Sequence, residues 1–443
     1  MGEKKVKLPP KGIPKEELLK SMEQLRKDDA RWKEGRTWSL VYHAGEEHTE
    51  FLKSAYTLFF SENALSPIAF PSLQKLEAEV LSMTAHMLGG DDQVVGSMTS
   101  GGTESILMAI KTYRDWAKAT RSEIKRPEMI LPMTIHPAFE KAAHYFDVKP
   151  VHIPVTNSFR ADINAVRDVT NKNTILMVGS APSYPHGVID PIAEMASLAA
   201  EHGIGFHVDA CLGGFLLPFV KRLGYPIPDF DFSLPGVTSM SADIHKYGFA
   251  AKGASTVLYR NKELQKHQFF IYTDWPGGIY ASPAMTGTRP GGAIAAAWAA
   301  MNAMGEEGYL RGAEQIMKTT KALMNGINAL PGMYVLGEPD MSVFAFTSNE
   351  VDIFAVGDEM EVRGWNMDRQ QRPNSLHLMI TPIHSGTVDQ FLSDLRESVD
   401  YMRANPSTAK EGTAPMYGMM ASVPDRGMVR NFVLQFMEGL YET

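Results

Sequence analysis

Between Val94 and about Tyr259 the chain alternates short apolar runs with stretches of helical spacing. "EMILPM", "KPVHIPV", "TILMVGS", "GIGFHVDA", "VTSMSAD" and "GASTVLYR" have the length and boundaries of strands, while Pro137 to Phe146 and Pro191 to His202 have the spacing of helices. Nearly continuous apolar strands separated by helices predict a mainly parallel sheet covered on both faces. Upstream, a loose tail runs to about Pro14, "KEELLKSMEQLRKDD" has helical spacing, and "RWKEGRTWSLVYHAGEEH" has none, so this part reads as an N-terminal arm. Two more helices are predicted over Glu46 to Ser61 and Ser72 to Leu88, the second preceded by the turn-forming prolines of "NALSPIAFPS". Downstream, a long helical region from Gly291 to Leu330 precedes "YVLGEPDMSVFAFTS", a helix, "WNMDRQ", "SLHLMI" and another helix. Strands adjacent in sequence predict a small α+β domain with an antiparallel sheet. The expected organisation is thus an N-terminal arm with helices over 1–88, a large domain over 89–330 and a small C-terminal domain over 331–443. The tail ends in a helix rich in methionine and phenylalanine, expected to pack on the body of the protein.

Composition adds limits to this picture. The 443 residues are 44% hydrophobic and 21% charged, the balance of an ordinary globular chain. A net charge of -8 argues against nucleic acid as the main partner, while leaving room for a local basic pocket that takes one phosphate. Cys211 is the only cysteine, so no intrachain disulfide forms, and a reducing, cytoplasmic setting is the simpler expectation, with Cys211 as a small buried hydrophobe. The charged, proline-broken start does not resemble a secretory segment, and the longest apolar run, Gly292 to Met304, is too short to span a bilayer. No metal is expected.

Candidate chemistry begins at "GSMTSGGTESILMAI", Gly96 to Ile110, where small residues lead into a helix with Thr103 and Glu104 in its first turn. Backbone amides at such a terminus attract an anion, although a Gly-Gly turn opening a helix is most often only a turn. Asp209 ends the probable strand "GIGFHVDA", where ligands bind in open α/β sheets, and its carboxylate needs a partner such as a protonated pyridine nitrogen, a lysine or a helix end. Lys246 follows 37 residues later in "SADIHKYGFAAKG", with Lys252 six positions beyond it. Apolar and aromatic neighbours are expected to desolvate the Lys246 ammonium and lower its pKa, the condition for Schiff-base chemistry. His245 beside it is placed to donate to a phosphate, and His136, just after a strand, to stack on a flat ring. Together these residues meet the needs of pyridoxal phosphate: a phosphate cradle, a pyridinium partner, a ring stack and an imine-forming lysine.

"TSGGTES", "HVDA", "HKYGFAAKG" and "GTRPGG", in this order, resemble the fold-type I pyridoxal-phosphate enzymes of the group II decarboxylase superfamily, and within it the sphingosine-1-phosphate lyases. The likeness runs from about Trp38 to the C-terminus. It implies an α/β fold of the PLP-dependent transferase type, with Lys246 as the covalent anchor of pyridoxal 5'-phosphate, Asp209 at the pyridinium nitrogen and His136 stacked on the ring. Gly101, Gly102, Thr103 and His245 would bind the cofactor phosphate. In the family the "GTRPGG" loop reaches into the partner's site, which implies a homodimer with shared active sites, Thr288 completing the phosphate cup and Arg289 meeting the substrate phosphate. The implied reaction is retro-aldol cleavage of a phosphorylated long-chain amino alcohol, with Lys252, Tyr42 and Tyr417 as candidate bases and Asn63, Ser66, Tyr42, Lys252 and Arg289 at the substrate. Eukaryotic members carry a membrane anchor that is not seen here, so the resemblance is to the soluble bacterial type.

One position departs from the pattern: where the family usually has histidine, this chain has Ser66, which cannot carry charge to a phosphate. Either Arg289, Lys252 and Tyr42 hold that phosphate alone, or the substrate is not a conventional phosphorylated sphingoid base. An amino acid α-decarboxylase shares the cofactor residues but has no need of a second phosphate site, so Lys252 and Arg289 favour the lyase. A non-catalytic protein that kept the fold is disfavoured by the presence of both Lys246 and Asp209.

Overall fold

The computed structural model describes residues 6–406, 418, 423 and 425–441. Helices α1 (Lys15–Leu25), α2 (Glu46–Leu58) and α3 (Pro71–Met87) come first, with Pro71 at the start of α3 where its missing N–H costs nothing. Then β1 (Val95–Thr99), α4 (Gly102–Thr120), β2 (Glu128–Pro132), α5 (Ala138–Phe146), β3 (Lys149–Ile153), α6 (Ile163–Val169), β4 (Thr174–Ser180) and α7 (Ile192–Glu201) follow. They continue into β5 (Gly205–Asp209), α8 (Leu217–Arg222), β6 (Ser239–Ala242) and β7 (Ser255–Tyr259). The seven strands form one sheet in the order β1-β7-β6-β5-β4-β2-β3. Only β7 runs against its neighbours, so the mainly parallel sheet is borne out.

After α9 (Lys262–Gln265), a hairpin of β8 (Phe270–Tyr272) and β9 (Tyr280–Ser282) leads to α10 (Gly291–Asn328). The long helix is not continuous: Gly305, at φ 54°, breaks it with a backbone conformation that suits glycine. Then β10 (Met333–Val335), β11 (Val343–Ser348), α11 (Ile353–Val362), β12 (Asp368–Gln370), β13 (Ser375–Met379) and α12 (Val388–Ala404) build a second sheet, antiparallel throughout, in the order β10-β11-β13-β12. One apolar core joins Met177, Phe206 and Val208 of the first sheet to Phe344, Phe346 and Leu376 of the second.

The arm is more than a tether. Trp38 is fully buried, its ring 4.3 Å from His384, 5.8 Å from Trp365 and 4.8 Å from Phe391. Its backbone bonds Asn366 and Met379 at 3.2 and 2.8 Å, which carries Ser39 to Tyr42 across the mouth of the site. Among the described residues of the terminal helix, Arg426–Leu440, none is buried. The expectation that it packs on the body is therefore overturned, and Phe432, Phe436 and Leu440 stand exposed.

Candidate active site

The strand order brings the chemistry together. Because β1, β4, β5 and β6 run the same way, their C-terminal ends meet along one edge of the sheet. There lie Gly101 to Thr103 after β1, Ser180 to Tyr184 after β4, Asp209 at the end of β5 and the loop 243–254 after β6; His136, beyond β2, joins them. This is where an open α/β sheet takes its ligand. A cavity of about 600 Å³ opens at this edge, and its walls include Tyr42, Gly101, Gly102, Thr103, His136, Asp209, His245, Lys246 and Lys252.

Lys246 and Lys252 share the loop because β6 and β7 are antiparallel neighbours, so the chain must turn back within a few residues. Lys246 Nζ lies 3.0 Å from Oδ2 of Asp243, a residue 2% exposed that the sequence reading passed over. The signal was in the same motif, an acidic residue three positions before the lysine. Asp243 Oδ1 accepts from Ser255 Oγ at 2.5 Å, and Ser255 is linked through Ser105 to Thr99 by two further hydroxyl contacts of 2.7 Å each. A buried row of hydroxyls thus joins the lysine loop to the end of β1.

The expectation that Lys246 has a lowered pKa is overturned. Burial does act to lower it, but the Asp243 carboxylate, reinforced by Cys211 and Asp209, outweighs burial and holds the ammonium above its ordinary value. In turn, burial works to raise Asp243, yet Lys246 keeps its carboxyl below the usual carboxylate range. The lowered lysine is Lys252. Burial and the Lys246 charge push it down to about 8, and within the described residues it has no carboxylate ion pair. Its Nζ lies 5.0 Å over the Tyr42 ring and donates to the His245 carbonyl at 3.4 Å. Tyr42 Oη meets Met379 Sδ at 3.1 Å, and burial pushes its hydroxyl well above the ordinary tyrosine value, which makes it a proton donor rather than a base.

The residues fit pyridoxal phosphate. The residue that opens α4, Gly101, has no side chain to cap it, and Gly101, Gly102 and Thr103 line the cavity, so this helix start is open to an anion. A Cβ on Gly102 would stand 2.8 Å from both Asp243 Oδ2 and Cys211 Sγ, so only glycine lets this turn sit so close to the lysine's counterion. His245 Nδ1 accepts from the Ala254 amide at 3.2 Å, which leaves Nε2 carrying the proton, and burial drives its pKa down to about 4. It is therefore a neutral donor facing the start of α4. Asp209, 8% exposed, keeps its carboxylate toward the cavity, with Oδ1 accepting from the Cys211 amide at 3.1 Å. His136 presents an exposed ring, its Nδ1 accepting from the Ala138 amide at 3.1 Å.

Three of the expected substrate residues, and Thr288, expected at the cofactor phosphate, are elsewhere in this chain. Asn63, Ser66, Thr288 and Arg289 gather where "NALSPIAFPS" meets "GTRPGG", and Asn63 Oδ1 accepts from the Arg289 amide at 3.1 Å. Arg289 is 8% exposed, its guanidinium paired with Glu77 and bonded to the Met98 carbonyl, not directed into the cavity. Ser66 is exposed and its Oγ accepts from the Ala69 amide at 3.4 Å. Tyr417 lies outside the described residues. Tyr184 was not singled out, yet it lines the cavity with its hydroxyl donating to Asp368 at 2.8 Å.

Residues 5–349 match the family described as "Pyridoxal-dependent decarboxylase conserved domain". The sphingosine-1-phosphate lyase of Arabidopsis thaliana is 49% identical over 442 residues, which cover 98% of this chain and 81% of that protein. This chain belongs to the sphingosine-1-phosphate lyase family. A solved structure of a sphingosine-1-phosphate lyase from Burkholderia pseudomallei superposes with a TM-score of 0.90 at 39% identity, covering 99% of this chain and 97% of that one. A glutamate decarboxylase from Lactobacillus brevis shares the fold, with a TM-score of 0.78 at 18% identity over 90% of this chain and 95% of that one. The cofactor is pyridoxal 5'-phosphate. Among the described residues, no helix is long and apolar enough to cross a membrane.

Proposed function

We propose that this protein cleaves phosphorylated sphingoid bases between C2 and C3, giving a long-chain aldehyde and phosphoethanolamine. The observation that carries the reading is Lys252, a second lysine on the wall of the Lys246 cavity whose pKa lies near neutrality. Bound pyridoxal phosphate supplies the electron sink that makes cleavage beside an amine-bearing carbon accessible. Lys246 would hold it covalently, with Asp209 at the ring nitrogen, His136 against the ring face, and Gly101, Gly102, Thr103 and His245 at its phosphate. Neutral Lys252 would take the proton of the C3 hydroxyl as the C2–C3 bond breaks, and the ammonium so formed would return a proton to C2 before release, restoring the neutral amine. Tyr42, its ring beneath Lys252 and its hydroxyl bonded to Met379 Sδ, positions the amine and then the ammonium that proton uptake creates.

Homodimerisation belongs to the same proposal. Leu58, Phe60 and Ile68 on one side, and Ile271, Trp275, Ile279 and Met285 on the other, expose large apolar surface near the segments that carry Asn63 and Arg289. Exposed apolar surface of this extent fits an interface between two copies, at which the exposed Thr288 would reach the neighbouring site while Arg289, paired with Glu77, braces its loop from within its own chain. The single buried, unpaired cysteine supports a cytoplasmic setting.

The deciding experiment incubates the holoenzyme with a phosphorylated sphingoid base while following aldehyde, and with a panel of amino acids while following carbon dioxide. Aldehyde from the first and no carbon dioxide from the second is the expected result; amine and carbon dioxide without aldehyde would make the protein a decarboxylase.

A further inference from the structure

A second cavity, of about 360 Å³, lies on the other side of Lys252. Its walls come from the arm, from α2 and from the end of the lysine loop: Trp32, Val41, Leu52, Tyr56, Phe249 and Ala250. Tyr42 and Lys252 line both this cavity and the Lys246 cavity, so the pair forms the partition between them. The gap between α2 and the loop is held by His48, whose Nε2 bonds the Phe249 carbonyl at 3.1 Å. Several polar groups on its rim are already engaged, among them Thr57, whose Oγ1 donates to the Lys53 carbonyl at 2.8 Å. Thr49 Oγ1 contacts His43 Nδ1 at 3.3 Å and the Gly45 carbonyl at 3.0 Å, and Lys53 pairs with Glu50 at 2.5 Å. What is left is an apolar space of about a dozen water-sized volumes at ~30 Å³ each.

We propose that this cavity is the binding site for the hydrocarbon chain of the substrate, with Tyr42 and Lys252 as the gate through which the chain passes. The inference rests on the lyase reading. If Lys246 faces the amine-bearing carbon and Lys252 takes the proton of the C3 hydroxyl, then C3 lies at Lys252 and the chain begins there. Continuing away from Lys246, it meets the apolar walls of α2 and Phe249. The Tyr42 ring offers the chain a flat apolar surface at the crossing, and its position is fixed by the Tyr247 ring at 5.0 Å. A hydrocarbon chain is the occupant that needs no hydrogen-bonding partner from these walls.

The test measures kcat/KM of the holoenzyme for a short-chain and a long-chain phosphorylated 2-amino-1,3-diol. The ratio of long to short is expected to favour the long chain, by up to about fourfold for each methylene that enters the cavity, the factor equivalent to ~0.8 kcal/mol. Thr49→Phe, from α2, and Ala251→Leu, from the facing loop, each narrow the space, and either is expected to lower that ratio by about fifteenfold, the loss of roughly two such methylenes. Turnover of the short substrate by the same variants reports folding. Cleavage of both substrates with a ratio that neither variant changes would overturn the chain site and leave the lyase reading standing. Failure of the wild-type holoenzyme to cleave either substrate would overturn the lyase reading and the chain site with it.

Discussion

Lys246 and Lys252 stand six residues apart in one loop, line one cavity and are displaced in opposite directions. Burial acts on both in the same sense, toward the neutral amine. The difference is a counterion: Asp243, itself buried, lies 3.0 Å from Lys246, while Lys252 faces an aromatic ring, a carbonyl and the charge of Lys246. Apolar surroundings alone thus do not set a lysine's pKa; the nearest charge decides. Under the proposed function this divides labour, with Lys246 held for the cofactor and Lys252, lowered to about 8, left for the substrate.

The comparison is broken most completely by Lys246→Ala, expected to abolish turnover and the absorbance of the lysine-bound cofactor in the visible spectrum. Persistence of that absorbance would remove Lys246 from its role. Next in size is Asp243→Ala, which strips a buried ion pair of one partner and is expected to lower stability by about 3–5 kcal/mol in denaturant titration. An unchanged midpoint would mean that water replaces the carboxylate at no cost. Lys252→Ala is expected to keep the visible absorbance while reducing turnover by about 10²–10⁴-fold. On the proposed mechanism the neutral form of Lys252 is the base, so wild-type kcat/KM should rise with pH through about 8 and level off above it. That limb should vanish in Lys252→Ala, and its survival there would assign it to another group. Smallest is Tyr42→Phe, which removes one hydroxyl at a cost of about 0.5–1.5 kcal/mol and keeps the ring under Lys252. The pH limb should stay where it is, and a large displacement would show that the hydroxyl, not the ring, tunes the lysine.

How much of this was legible in the sequence differed by element. "TILMVGS" and "GIGFHVDA" announce themselves because a strand covered on both faces carries apolar residues continuously, and both are strands buried along their whole length. β1, "VGSMT", does not, since its small and hydroxyl-bearing residues look like the approach to a turn. The β8–β9 hairpin, three residues to a strand, is too short for any period to show. In the site, Gly102, Thr103, His136, Asp209 and Lys246 follow strand ends or open a helix that the pattern locates, and all line the cavity, while Lys252 is reached only through the family resemblance and its closeness to Lys246. Asp243 was hidden by its company, since sequence shows that a carboxylate is near a lysine and not that both turn inward. Arg289 shows the converse: the family resemblance implies a substrate contact for it, and within one chain its guanidinium is paired with Glu77.

The row of hydroxyls behind Asp243 carries a direction. An ionised carboxylate only accepts, so Ser255 must give it a hydrogen; Ser105 must then give one to Ser255, and Thr99 one to Ser105, away from the Gly101 carbonyl it also faces at 3.3 Å. Each bond polarises the next. Neutralising Asp243 would free all three to swing the other way, so the charge state of the lysine's partner is recorded as an orientation running through the protein interior to the end of β1.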